Sequence, residues 1–325
     1  LLRRVAIFLV RRVIHALLVL VFASILAFTL ASIAPGDYFD EMRLSSDISP
    51  ATLEKLRAHY GLDRPMHERY RRWITSIPKG EWGFSFAYNS PAGPILLSRC
   101  RNTLLLTSVA TALAWLGALI WGGWAALHQG GIVDHVATGV TAFLLAVPEI
   151  VLALCLLLFA VRTGYLPVGG LNLDATYASG LWSVTAEVAK HLALPALVLA
   201  AGSLPFLLSH VRSAIAETLR SPFIEAAVGN GIPPVRILSR HAFPAAANPL
   251  ITLFGTSLGM LISSSLLTEA VFSWPGIGQL MLEAIQSRDF FLVVDSALLS
   301  TAFFVAGTLV ADILLYLADP RIRAE

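Results

Sequence analysis

Charge is what this chain of 325 residues has least of. Asp, Glu, Lys and Arg together make up 14% of it, against about 25% in an ordinary soluble domain. Acidic and basic residues nearly cancel, 21 against 23, which leaves no clustered basic face of the kind nucleic acid requires. Lysine is the rarest of the four: Lys55, Lys79 and Lys190 are the whole set, and none follows a glycine. A phosphate-cradling loop ends in Gly-Lys-Ser/Thr, so ATP hydrolysis by that route is excluded. The two cysteines, Cys100 and Cys155, cannot build a disulfide framework. His128 and His135 flank a turn, but no histidine pair has metal-ligand spacing with cysteine or carboxylate support. Serine, histidine and acidic residues lie scattered, with no nucleophile–base pairing and no nucleophile elbow expected. The chain therefore reads as non-enzymatic, with no metal or cofactor of its own.

Apolar runs are what it has in abundance. Hydrophobic residues make up 56% and the mean hydropathy is +0.73, so the chain is solvated largely by lipid. A helix needs roughly 20 apolar residues to cross a bilayer. Six runs are near that length: Val13 to Ala34, about Thr103 to Leu127, about His135 to Val161, Leu192 to Val211, Leu250 to Phe272, and Phe291 to Leu317. Pro195 and Pro205 fall inside the fourth, where neighbouring helices can satisfy the freed carbonyls. Arg3, Arg4, Arg11 and Arg12 keep the N-terminus in the cytoplasm, and the first run exceeds the apolar core of a signal peptide, so it reads as an uncleaved anchor. The tail, Asp319 to Arg323, is short and basic and belongs on the same side.

Residues 35–101 are the one stretch soluble enough to fold outside the membrane, and long loops translocate largely regardless of their arginines. Ser49-Pro50 starts a helix carrying Leu53, Leu56 and Tyr60 that Gly61 ends. A second helix presents Tyr70, Trp73, Ile74 and Ile77 on one face, and Trp73 and Trp82 suit the water–lipid boundary. The division is thus 1–34 for the N-terminal segment and first span, 35–101 for an external cap, and 102–325 for a core of five spans with a polar loop at 213–249. The fold class is an all-α polytopic membrane protein.

That loop holds Ser221 to Pro249, the polar island of the second half. Ser221-Pro222 is a helix start, with the serine hydroxyl expected to accept from an orphan amide and proline at the first helical position. Gly229 and Gly231 end that helix, and Pro233 and Pro234 forbid its continuation. A second helix runs from Pro234 to Phe243, with Arg236 and Arg240 on one face, and Pro244 stops it. Ala226 and Ala227 are small enough to admit another protein's backbone.

Glu225-Ala226-Ala227, Gly231, Arg240-His241-Ala242 and Asn248-Pro249 resemble the EAA loop of ABC-importer permeases, and most closely those of the dipeptide, oligopeptide and nickel group. Asn230 departs from the pattern, which usually has a basic residue there. Gly61-Leu62-Asp63-Arg64-Pro65, Gly80-Glu81-Trp82-Gly83, Tyr165 to Gly170, Glu269 to Gly278 and Arg288-Asp289 extend the resemblance over almost the whole chain. It implies a bacterial inner-membrane subunit whose cytoplasmic coupling helix, with Glu225, Ala226, Ala227, Gly231, Arg240 and His241, docks on an ATPase. It further implies a second, similar permease, two ATPase subunits that use ATP and Mg, and an external substrate-binding protein near the cap.

Within the spans, Gly255, Gly259 and Ser263 recur every four residues, the pattern of close helix packing, either inside this chain or against a partner permease. Leu258 reads as lipid-facing. Pro148-Glu149 places a carboxylate in the third span, where acids are costly and face a cavity or a partner, so Glu149 is a candidate for substrate contact. Ser264, Ser265 and Thr268 are candidates for a polar path. Asp312 reads as a structural interfacial acid. The alternative reading is an ion-gradient-driven transporter or channel working through Glu149 and Asp312. Such proteins commonly show internal repeats, and none is evident here.

Overall fold

The computed structural model describes residues 2–36, 38, 61, 63–170 and 181–318, the side chains of 2–9, 181, 262, 263, 317 and 318 excepted. The helix expected from Ser49 and the basic tail from Asp319 lie outside the described residues.

Among the described residues the architecture is all-α apart from one short hairpin. Helix α1 (Leu2–Ile33) carries Arg11 and Arg12 within it rather than ahead of it. Helix α2 (Met66–Ser76) and strands β1 (Phe84–Ser85) and β2 (Ser90–Pro91) follow, the strands antiparallel with Phe84 opposite Pro91. Helix α3 (Ala92–Leu127) starts inside the stretch expected to be cap and passes through a π-turn at Ala118–Gly122. Next come α4 (Ile132–Ala146), α5 (Glu149–Thr163) and α6 (Leu181–Leu219). The polar loop contains α7 (Pro222–Gly229), α8 (Pro234–Ile237) and α9 (Phe243–Ala245). Then α10 (Ala247–Val271), α11 (Ile277–Gln286) and α12 (Phe290–Ala318) complete the described chain. Among the described residues four helices are long and apolar enough to cross a membrane. The number rises to six if α4 with α5, and the two halves of α10, each count as one bent span.

Three expectations change. The third apolar run is two helices meeting at 95°, because Pro148 supplies no N–H and holds the preceding Val147 extended, at φ −96° and ψ 115°. The fourth span is a 39-residue helix, since neither 181–191 nor 212–219 contains a glycine or proline to stop it. No helix was expected between Phe272 and Phe291, and α11 lies there, its Ile277, Leu280 and Ala284 buried at helical spacing.

The chain divides into two compact units. One comprises 1–13, 104–274 and 304–325, the other 14–103 and 275–303. The first has its largest core where Trp115, Leu207, Val211, Ile215, Ala242 and Leu253 meet. In the second, Phe28, Trp73 and Val294 form a buried cluster flanked by Tyr70, Ile74 and Ile77, the expected stripe of α2. Trp73 is not at a lipid boundary: it is 3% exposed, and its indole N–H donates to Asp295 Oδ1 at 2.8 Å. A buried indole needs such an acceptor, and the carboxylate supplies it from 222 residues away. Nearby, Asp289 accepts from Ser85 Oγ at 2.7 Å and from the Ala87 amide at 3.1 Å, which pins the hairpin.

Candidate functional site

The polar loop of the first unit is built from its own contacts. Helix α7 starts as the sequence requires, with Pro222 at its first position after an extended Ser221 (ψ 147°). The serine does not cap it: Ser221 Oγ donates to the Thr218 carbonyl at 2.6 Å, and the Ile224 and Glu225 amides donate to the Ser221 carbonyl at 3.0 and 3.2 Å. At the other end the Gly231 amide donates to the Val228 carbonyl (2.9 Å) and the Ile232 amide to the Ala227 carbonyl (3.2 Å). With Gly231 at φ +74° this is a Schellman closure, in which a left-handed residue lets two orphan carbonyls be satisfied. Ile232 folds back over Ile224, Ala227 and Ile237, a core of three buried side chains private to the loop.

The two alanines therefore face different ways. Ala227 is 8% exposed and inward, where its size serves packing within the loop rather than the approach of another protein. Ala226 is exposed beside Glu225, and Val228 and Val235 stand outward at 59% and 60% exposure. Arg236 and Arg240 are both exposed and His241 is half-buried. Pro244 does not stop the second helix. A π-turn at Leu238–Ala242 precedes it and widens the backbone ring, which relieves the clash with the carbonyl four residues back, and α9 runs on to Ala245.

The intramembrane candidates are engaged inside the chain. Pro148 forms the N-cap of α5, and half-buried Glu149, in the first turn of that helix, accepts from Thr268 Oγ1 at 2.7 Å. Gly202 of α6 leaves the room for its carboxylate, since a Cβ there would stand 3.1 Å from Oε2. Thr268 and Ser265 are buried rather than lining an open path. Asp312 pairs with Arg12 at 3.0 Å. On α10, a Cβ added at Gly255 would overlap that of Ala311, and one at Gly259 would strike the ring of Phe304, so both glycines accommodate α12 of the same chain. Leu258 is also part of this seam, its Cβ opposite Gly307, and not simply lipid-facing. The Ser263 side chain lies outside the described residues. Gly255-Thr256-Ser257-Leu258-Gly259 does spell G-x-S-x-G, against expectation, but it sits mid-helix. Ser257 Oγ donates to Phe254 and accepts from the Trp115 indole, with none of the strand–turn–helix geometry of a nucleophile elbow. Among the described residues no group of three or more His, Cys, Asp and Glu is placed to hold a metal ion.

One pair was missed by reading the sequence. Arg212 of α6 donates through Nε and Nη2, the latter at 2.9 Å, to both oxygens of Asp134 in the first turn of α4. Asp134 Oδ2 also accepts from the Gly130 amide at 2.9 Å. A lone acid opening an apolar helix was the available signal, but its partner is 78 residues away.

Long apolar helices with a small self-closed helical loop between α6 and α10 are the architecture on which the comparisons with known proteins bear. The binding-protein-dependent transport system inner membrane component family matches residues 118–324, and its N-terminal companion matches residues 5–107. The chain belongs to that family. It is 31% identical over 320 residues to the oligopeptide transport system permease protein AppB of Bacillus subtilis, covering 98% of this chain and 99% of that one. It is 32% identical over 317 residues to the di/tripeptide transport system permease protein DppB of Pseudomonas aeruginosa, covering 93% and 94%. A solved inward-facing structure of the MetNI methionine ABC transporter aligns with 71% of this chain and 95% of that one, at 19% identity and a TM-score of 0.47.

Proposed function

We propose that this chain forms part of the translocation path of an ATP-driven peptide importer, and that the 213–249 loop is where a separate ATPase subunit drives it. The observation that carries the reading is the loop itself. It is a folded module with a private core and an outward face of Glu225, Ala226 and Val228, on a chain that has no nucleotide loop. The names of both relatives support peptides as the cargo. The assembly would hold a second, similar permease, two ATPase subunits that bind ATP and Mg, and an external substrate-binding protein. In this reading both termini and the loop are cytoplasmic in a bacterial inner membrane, and 35–101 is outside.

Ala226→Arg tests the docking. The side chain is exposed, so the loop keeps its fold while a long cation blocks close approach. Reconstituted with its partners, the variant is expected to insert normally and to lose both uptake and ATPase stimulation by the loaded binding protein. Full retention of both would reduce the stretch to an ordinary loop. Sidedness is read separately: a cysteine replacing exposed His67 should react with an impermeant maleimide in cells whose inner membrane is intact, and reaction only after lysis would reverse the orientation.

A further inference from the structure

Between the last turns of α6 and the first turns of α10 lies a cavity of about 890 Å³, wide open beside α7, along which His210, Ser213, Glu217, Thr252 and Thr256 are all exposed. This is within the range of small-molecule sites, roughly 300–1,000 Å³. His210, Ser213 and Glu217 line it from one face of α6, and Thr252 and Thr256 from one face of α10. Thr218 and Ser221 complete the polar wall next to the loop.

The hydrogens of nearly all these groups are already committed. Thr218 Oγ1 donates to the Ala214 carbonyl at 2.9 Å, and Ser221 Oγ to Thr218. Thr252 donates to the Asn248 carbonyl at 3.1 Å and Thr256 to Leu253 at 3.0 Å. His210 Nδ1 lies 2.8 Å from the Phe206 carbonyl, which can only accept, so Nδ1 is the donor of that bond and Nε2 is the ring nitrogen left facing outward from it. The Glu217 carboxylate makes no hydrogen bond or ion pair among the described residues, and no lysine or arginine lines the cavity. Ser213 alone keeps its hydroxyl hydrogen. A wall of acceptors around one carboxylate repels anions and matches a group that brings several N–H donors and a positive charge, which describes an ammonium with its three hydrogens.

We infer that this cavity holds the protonated amino group of a transported peptide, with Glu217 as its counter-ion and the back-bonded hydroxyls and His210 Nε2 as further acceptors. The inference rests on the importer reading above and adds to it the chemical group recognised and the residues that recognise it.

The test uses the assembled transporter in lipid nanodiscs, carrying Cys155→Ser and Ser213→Cys, with N-ethylmaleimide labelling of the new thiol as the readout. The probes are trialanine amide and its N-acetyl derivative, which differ only at the ammonium. Trialanine amide should protect the thiol with about tenfold higher apparent affinity, the scale of one charge-assisted hydrogen bond. Glu217→Gln should abolish that difference, and Thr252→Val should reduce it. Equal protection by the two probes, no protection by either, or an unchanged difference in Glu217→Gln overturns the assignment. ATPase stimulation by the loaded binding protein is measured in the same preparation. If it is present while amine dependence is absent, the cavity assignment alone fails. If it is absent from the unsubstituted assembly, the importer reading fails and takes this one with it.

Discussion

Gly231 closes α7 at φ +74°, and no residue beyond its two chain neighbours comes within 4 Å of where a Cβ would stand. Gly255 lies within helix α10, and there a Cβ would collide with Ala311 of α12. In the polar loop, then, glycine is required for its backbone, and the space around it stays open. In the α10–α12 seam glycine is required for its volume, and the space is consumed within the chain. The same contrast separates the residues around them. The loop keeps Ile224, Ala227 and Ile237 for itself and presents Glu225, Ala226 and Val228 outward, whereas the seam presents nothing of Gly255 or Gly259 to a second subunit. A surface available for coupling and a contact spent on folding are distinguished by what lies opposite each residue.

The comparison can be broken most severely at the seam. Gly255→Leu should cost more than the roughly 1–3 kcal/mol typical of overpacking, because the obstacle is a Cβ fixed to the facing backbone. Loss of monodisperse protein in detergent checks it. Gly259→Leu should cost less, since the Phe304 ring can swing aside, and Met260→Phe, on a side chain 54% exposed, should leave the melting temperature unchanged. Equal melting temperatures for all three variants would remove the seam from the account.

The next effect is in the loop. Ala227→Arg drives a charge into the private core and should expose the loop to proteolysis, with the membrane helices still inserted. Ala226→Arg should leave the protease pattern unchanged. Identical digestion of the two would show that the inward and outward faces of α7 are not distinct.

The smallest effect is at Gly231 itself. Gly231→Ala should destabilise the loop by about 1–2 kcal/mol, the usual penalty of a Cβ at left-handed φ, and Gly231→Asn by less, since asparagine visits that region more readily. Hydrogen exchange at the Ile232 amide, which donates to Ala227, reads the difference locally. Exchange as slow in Gly231→Ala as in the unsubstituted chain would mean that the closure does not depend on glycine.

Some of this was legible in the chain because its causes are local. The apolar runs, Pro222 at the start of α7 and Gly231 at its end act within a few residues of themselves, and the helix follows from them directly. Pro148 was equally visible, but whether an intramembrane proline kinks a helix or breaks it depends on neighbours that re-satisfy the freed carbonyls, so the 95° turn between α4 and α5 was not. Helix α11 was hidden behind the aromatic turn that precedes it, although Ile277, Leu280 and Ala284 carry the spacing.

Sequence by itself determined that this protein lives in lipid, that it cannot cradle ATP phosphates on a Gly-Lys loop, and that a short helix closed by glycine interrupts its second half. Those conclusions need only hydropathy, residue chemistry and backbone preference, each a property of a short stretch. Tertiary structure alone decided which way Ala226 and Ala227 face, that Trp73 donates to Asp295, that Glu149 meets Thr268, that Arg212 grips Asp134, and that Glu217 lines a cavity of acceptors. Each depends on what a distant segment places opposite, and the periodicity of one helix says which residues share a face but not what that face will meet.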